Sequence, residues 1–203
     1  MKKVFAFLLL SSLAFGDIQQ CYIDASQRYG VPIKLLYAIT KVESDGKPFC
    51  ININSHGRSI WSKCYQDYST AYYVAKNLYD RGYNIDLGLM QINSQNMKDN
   101  NWSVSDVLNP CHNVYYGAYL LRENINRYGF NWTAIWHYNG SPAYAYKVAK
   151  ALENLNYNFA YTSYYTYQPF TVFEYSNGKI SKLSSVRPKG VINNGYFTVI
   201  TGG

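Results

Sequence analysis

The segment "VESDGKP", residues 42–48, places one carboxylate, Glu43, at the end of an apolar run and follows it with Ser44, Asp45 and Gly46. A carboxyl group in that position can act as a general acid. To hold its proton near neutral pH, its pKa must rise from about 4.3. Burial against apolar neighbours raises it, and so does the negative end of a helix dipole. Glu43, next to Val42 and one turn beyond Ile39, is placed for both effects. Two further polar sets follow in order, "GLMQIN" (Gly88 to Asn93) and "HYN" (His137 to Asn139). The competing role for Glu43 is the common fate of a glutamate, an exposed charge closing a surface helix.

Metal chemistry is poorly served. A site would have to use Cys50, His56 and Cys64, whose spacing matches no common zinc pattern. No metal or cofactor is expected. The four cysteines, Cys21, Cys50, Cys64 and Cys111, instead imply two disulfides in an oxidising compartment, with three connectivities open.

The elements that must position these residues are helical for most of the chain. "DIQQCYIDASQRYG" repeats apolar residues at Ile18, Cys21, Tyr22 and Ala25, a helical period ending at Gly30. "VPIKLLYAITKVES" opens with Pro32 in a first-turn position and carries Leu35, Leu36, Ile39 and Val42 as a buried stripe, with Gly46 just past its end. Glu43 therefore falls in its last turn. Residues 47–68 read as loop, from the Asn, Ser, Gly and Pro spread through them. "STAYYVAKNLYDRG" reads as a short capped helix, "NIDLGLMQINSQN" as a turn-rich apolar segment, and "SVSD" as the capping box of another short helix. "NPCHNVYYGAYLLRENINRYG" is a longer helix with Pro110 at its start and Gly129 past its end. "NWTAIWHYNG" and "SPAYAYKVAKALENL" complete the helical set near Leu155. Beyond it, residues 156–203 are Tyr-rich and polar. Asn177-Gly178 between two alternating runs is a hairpin signal, and "VINNGYFTVI" repeats it more weakly. This segment is expected to be an appendage containing β-hairpins, with disorder as its competitor.

The 203 residues suffice for one ordinary domain with some left over, and a charged fraction of 15% argues against a solvated disordered chain. "MKKVFAFLLLSSLAFG", residues 1–16, has the form of a secretory signal peptide cut after Gly16, with Ala14 as the alternative. Its apolar run, Val4 to Leu13, falls far short of the ~20 residues a spanning helix needs. Gln20 before Cys21 argues against a lipid anchor. Loss of Lys2 and Lys3 would take the formal charge from +7 to +5. A basic exported protein suits an anionic partner. Its Lys and Arg residues are scattered, so nucleic acid is not expected.

Glu43-Ser44 at a helix end, then "GLMQIN", then "HYN" after a further helix together resemble the soluble lytic transglycosylase family. The resemblance covers about residues 20–155. It is closest to the small specialised lytic transglycosylases of type IV secretion, conjugation and related envelope-spanning machines. It implies a mainly α, lysozyme-like domain, assigned to residues 17–155, that cleaves peptidoglycan in the periplasm. The expected partners are peptidoglycan glycan strands and components of an envelope-spanning secretion system, with the chain itself a monomer.

Carried over from the family, Glu43 is the catalytic acid/base, while Ser44, Gly88, Leu89, Met90, Gln91, Asn93, Tyr138 and Asn139 meet the substrate. The family's Ala-Tyr-Asn is His-Tyr-Asn here, which leaves the role of His137 open. Gln91 and Asn93 offer amides suited to N-acetyl and hydroxyl groups. Met90 either packs on a sugar ring or fills core. Tyr138 either bonds near Glu43 or is a packed core tyrosine. Trp61, Trp102, Trp132 and Trp136 are expected mostly in core. The resemblance also implies Cys21–Cys111, leaving Cys50–Cys64 to close a 15-residue loop beside the cleft.

Ordinary glycosidases need two carboxyl groups, ~5 Å or ~6.5–9.5 Å apart. Asp45 lies too close in sequence to share Glu43's direction, and Asp86 reads better as a turn or cap residue than as a cleft residue. The family's chemistry removes the requirement. Glu43 protonates the glycosidic oxygen, then takes the proton of the muramic acid C6 hydroxyl, which attacks its own anomeric carbon. The rivals are a true hydrolase using water and Asp86, and a non-catalytic glycan-binding scaffold protein.

Overall fold

A computed structural model describes residues 10–155 together with 173–176 and 179–182. Helix α1 (Leu10–Tyr29) begins inside the segment read as a signal peptide, and residues 1–9 lie outside the described ones. Helix α2 (Ile33–Ser44) follows, with Pro32 standing one residue before it. Leu35, Leu36 and Ile39 are completely buried, while Val42 at the end of the stripe is only partly so. The helix stops because Asp45 turns into the left-handed region (φ 56°), where its N–H reaches the Lys41 carbonyl. Gly46 continues the turn.

The expected loop at 47–68 is a correction. Residues Cys50–Ser55 and Arg58–Cys64 form strands β1 and β2, an antiparallel hairpin. "CININ" alternates apolar and polar residues, and His56 and Gly57 both take positive φ (51° and 73°), the backbone a two-residue hairpin turn requires. Helix α3 (Tyr68–Asp80) is capped by Asp67, whose carboxylate accepts from the Thr70 N–H at 2.8 Å.

"NIDLGLMQINSQN" also holds more regular structure than its turn-rich reading. Strands β3 (Asn84–Leu87) and β4 (Ile92–Asn93) are followed by the short helix α4 (Ser94–Asp99), capped by Asn93. The four strands run in the order β2-β1-β3-β4 with antiparallel pairing. Register sorts their side chains. Ile51 faces Leu87, Ile53 faces Ile85 and Leu87 faces Ile92, while Asn52 faces Asp86, Asn54 faces Asn84 and Asp86 faces Asn93. One side of the sheet therefore joins the core and the other is a surface of amides around one carboxylate.

Helix α5 (Val104–Leu108) carries the expected capping box, Ser103 with Asp106. Helix α6 (Pro110–Tyr128) has Pro110 in its first turn and Gly129 past its end. Helices α7 (Trp132–Asn139) and α8 (Pro142–Asn154) complete the set, and α8 packs against both α2 and α7. A single apolar core joins α2, α6, α7 and α8 to the sheet through Leu35, Ile39, Ile51, Leu87, Leu121, Ile135 and Val148. Two disulfides, Cys21–Cys111 and Cys50–Cys64, fix α1 to the start of α6 and close the β1–β2 hairpin at its base. Arg122 adds a second tie, donating from α6 to the carbonyls of Tyr29 and Gly30.

Beyond α8, strands β5 (Phe173–Ser176) and β6 (Lys179–Lys182) pair antiparallel on either side of Asn177-Gly178. The weaker hairpin cue in "VINNGYFTVI" lies outside the described residues. Among the described residues, no helix is long and apolar enough to cross a membrane.

Candidate active site

Glu43 is the penultimate residue of α2, as the apolar stripe requires. Part of the residue reaches the surface, but its carboxyl group is enclosed, and enclosure is the main reason its pKa rises from 4.5 to about 7. The Tyr144 hydroxyl opposes the rise, the charge of Asp86 adds to it, and Lys147 opposes it. An acid that titrates near neutrality can both give and take a proton at working pH.

The "GLMQIN" segment reaches Glu43 by a tight turn. Gly88 has φ 82°, and the Asn113 side chain sits where a Cβ would be. Asn113 is buried and holds the turn from below. Its amide donates to the Leu87 and Val107 carbonyls at 2.9 and 2.7 Å, and its oxygen accepts from Met90 N–H at 2.7 Å. Gln91 also adopts positive φ (48°), and its amide donates to the Gly88 carbonyl at 2.8 Å.

Several residues assigned to substrate on family grounds have partners within the fold. Ser44 is buried, and its hydroxyl donates to the Leu89 carbonyl at 2.8 Å, tying the end of α2 to the turn. Leu89 and Met90 are buried, and Met90 packs directly on Gly117 of α6, so it fills core. Gly88 is buried as well, while Gln91 and Asn93 are partly exposed and Asn139 is exposed at the end of α7. Asn93 donates to Asp86 at 2.6 Å and to Asn84 at 2.7 Å. The Tyr138 hydroxyl donates to the Met90 carbonyl at 2.9 Å, locking α7 to the turn beside Glu43. Burial, then the charges of Glu43 and Asp86, hold its pKa well above the ordinary tyrosine value. The ring of His137 is stacked between Tyr128 (3.9 Å) and Trp136 (3.7 Å), an aromatic packing role. Of the tryptophans, Trp132 is buried and Trp61 is exposed on β2.

Asp86 is neither a turn nor a cap residue. It lies in β3 on the polar side of the sheet, accepting from Asn52 at 2.9 Å, Asn54 at 2.6 Å and Asn93 at 2.6 Å. These partners were not foreseen because their hairpin was not. Tyr144 was missed too, since "SPAYAYKVAK" presents it as one more stripe position of an amphipathic helix. It is buried on α8, and its ring stacks near that of Tyr138, 6.2 Å between centres. No cluster of metal-binding side chains occurs among the described residues, and Cys50 and Cys64 are joined to each other.

An enclosed acid at a helix end, with Tyr138, Tyr144 and an amide-lined sheet near it, suits proton transfer to and from a polar, uncharged ligand. The family model of the transglycosylase SLT domain matches residues 20–160. Protein IpgF of Shigella sonnei is 30% identical over 143 residues, which cover 68% of this chain and 77% of that protein. The invasion protein IagB of Salmonella typhi is 31% identical over 141 residues, covering 68% of this chain and 70% of its own. Protein virB1 of Agrobacterium tumefaciens is 33% identical over 93 residues, covering 46% of this chain and 38% of its own. No solved structure matches the chain.

Proposed function

The chain belongs to the transglycosylase SLT family, and from that premise we propose that it cleaves the MurNAc–GlcNAc β-1,4 bond of peptidoglycan with Glu43 as acid and base, leaving 1,6-anhydro-MurNAc ends. The observation that carries this reading is the enclosed Glu43 carboxyl, whose pKa of about 7 lets one group serve both halves of the reaction.

In the first half, Glu43 passes its proton to the glycosidic oxygen as the bond from the anomeric carbon breaks. In the second, the Glu43 carboxylate accepts the proton of the muramic acid C6 hydroxyl as that oxygen bonds to the same carbon. Glu43 ends protonated and no water is consumed. The nucleophile arrives attached to the substrate, where effective molarities of about 10⁵ M or more replace the positioning of a water. Asp86 favours this route over hydrolysis, because both of its oxygens are engaged by asparagine amides. The amides of Asn52, Asn54, Gln91 and Asn93 give a polar floor for N-acetyl and hydroxyl groups. With a leader at 1–16, the enzyme would act in the periplasm, opening the wall locally for an envelope-spanning secretion machine.

Mass spectrometry of muropeptides released from purified cell wall tests the proposal. Anhydro ends are expected, together with no detectable release by Glu43→Gln, which keeps the shape and removes the transferable proton. Products one water heavier would replace transglycosylation by hydrolysis and turn attention to Asp86. Release by Glu43→Gln within tenfold of wild type would remove Glu43 from the chemistry.

A further inference from the structure

Asn113 and Gly117 of α6 are each unfavourable where they stand. Gly117 is buried in the middle of the helix, where glycine is the least favourable residue after proline. Asn113 is a polar side chain with no exposure at all. The two lie four residues apart and so share one face of α6. That face meets the turn at 88–91, and the two residues fit it in opposite senses. At Gly88 the turn has no side chain, and Asn113 fills the space. At Gly117 the helix has no side chain, and Met90 fills the space, its sulfur, Cε and Cβ lying against the place of an added Cβ. Asn113 also makes three hydrogen bonds at this junction, donating to the Leu87 and Val107 carbonyls and accepting from Met90 N–H. The turn can neither slide along α6 nor tilt from it without losing one of these fits.

Three other elements meet on the same turn. The Leu89 carbonyl accepts from Ser44, the neighbour of Glu43, at 2.8 Å, and the Met90 carbonyl accepts from Tyr138 at 2.9 Å. Gly88 N–H donates to the Cys50 carbonyl at 2.9 Å. The end of α2, α7 and β1 are thus tied to a turn that α6 holds. We propose that Asn113 and Gly117 are positioning residues for the acid/base, a socket on α6 that fixes the 88–91 turn and, through it, the enclosure of the Glu43 carboxyl. This rests on the reading of Glu43 given above.

The socket acts through the backbone of the turn. When it is disturbed, the Leu89 and Met90 carbonyls move off Ser44 and Tyr138 and water reaches the carboxyl. Its pKa then falls from about 7 toward 4.5, because burial is the main cause of the rise. The titratable and charged groups facing Glu43 are Asp86 on β3, Tyr138 on α7, and Tyr144 and Lys147 on α8. Asn113 and Gly117 are uncharged, so replacing them by alanine alters the titration of Glu43 through its enclosure and not through a new charge.

Gly117→Ala tests the socket in the full chain, because one added methyl improves the helix and burdens only the Met90 contact. Activity on purified cell wall is read across pH beside wild type and Glu43→Gln, and the Glu43 carboxyl carbon is followed by NMR in wild type and variant. The activity limb lost as Glu43 deprotonates should move down by about one pH unit. That leaves roughly a tenth of the carboxyl protonated at pH 7 in place of about half, a loss of about fivefold that is recovered near pH 5. The NMR titration should move with it. Adding Met90→Ala should return the limb most of the way, since it removes the sulfur and Cε that the methyl meets. Asn113→Ala, which removes all three hydrogen bonds, should move the limb in the same direction as Gly117→Ala. An unmoved limb and titration in both single variants, with Glu43→Gln inactive, would overturn the socket and leave Glu43 in place. A loss equal at every pH, or failure of both variants to fold, would mark the pair as core packing and overturn the proposal as well. Activity in Glu43→Gln would remove the reading of Glu43 and this inference with it.

Discussion

Glu43 carries a stability signature as well as a chemical one. The unfolded chain titrates this glutamate at its ordinary 4.5 and the folded chain at about 7. Between those values the folded state holds a proton that the unfolded state has lost, so stability present below pH 4.5 is given up as pH rises through 7. Across the whole window this amounts to roughly 3 kcal/mol. Glu43→Gln cannot titrate. Denaturant unfolding should therefore show the variant gaining on wild type by about that amount between pH 4 and pH 8, and a difference that stays flat with pH would mean the carboxyl is solvated. The place of Glu43 in the last turn of α2 was legible in the sequence, because an apolar stripe followed by a stop fixes where the helix ends. Tyr144 was not legible. A stripe tyrosine looks the same whether its hydroxyl reaches solvent, a carbonyl or an enclosed carboxyl, and only the packing of α8 on α2 decides. Ser44 and Met90 show the converse, since a residue inside a family motif can be buried and bonded within the fold.

Among the elements, capped helices were the readable part. Ser103 with Asp106 and Pro110 after Asn109 announce their helices through local backbone chemistry that needs no tertiary partner. The β1–β2 hairpin was hidden by composition, because asparagine and serine at alternate positions look like loop. They are there because one side of the sheet is an amide surface, and only "I-N-I-N" alternation betrays it. The two disulfides brace this architecture unequally. Cys21 and Cys111 stand 90 residues apart and Cys50 and Cys64 only 14. In the chain-entropy model these closures are worth about 4–5 and about 3 kcal/mol. Replacing each pair by serine should cost the longer closure more in unfolding free energy, measured in denaturant. Equal losses would mean strain or residual unfolded structure dominates. The shorter bridge should matter more for turnover, since the hairpin it closes supplies Asn52 and Asn54 to Asp86.

At the scale of the whole molecule, positive charge is unevenly spread. The matched transglycosylase region ends at residue 160. Beyond it Lys179, Lys182, Arg187 and Lys189 oppose the single acid Glu174, so residues 161–203 carry +3 of the formal +7. If Lys2 and Lys3 leave with the leader, the region that holds Glu43, Gln91 and Tyr138 is left at only +2. Catalysis and adhesion would then reside in different parts of the chain. An anionic wall attracts the tail through screened charges, so its contribution should fade as ionic strength rises. Deleting 161–203 should leave kcat on isolated cell wall within about threefold, because among the described residues the groups that act on the Glu43 carboxyl, Tyr144, Asp86 and Lys147, all lie before Leu155. Adsorption to the wall should weaken at low salt and lose most of its salt dependence, read by sedimenting the wall with bound protein across a sodium chloride series. A truncated chain that is folded by circular dichroism yet inactive would place the tail in the active site. One whose adsorption keeps the full-length salt dependence would assign wall binding to the helical domain instead.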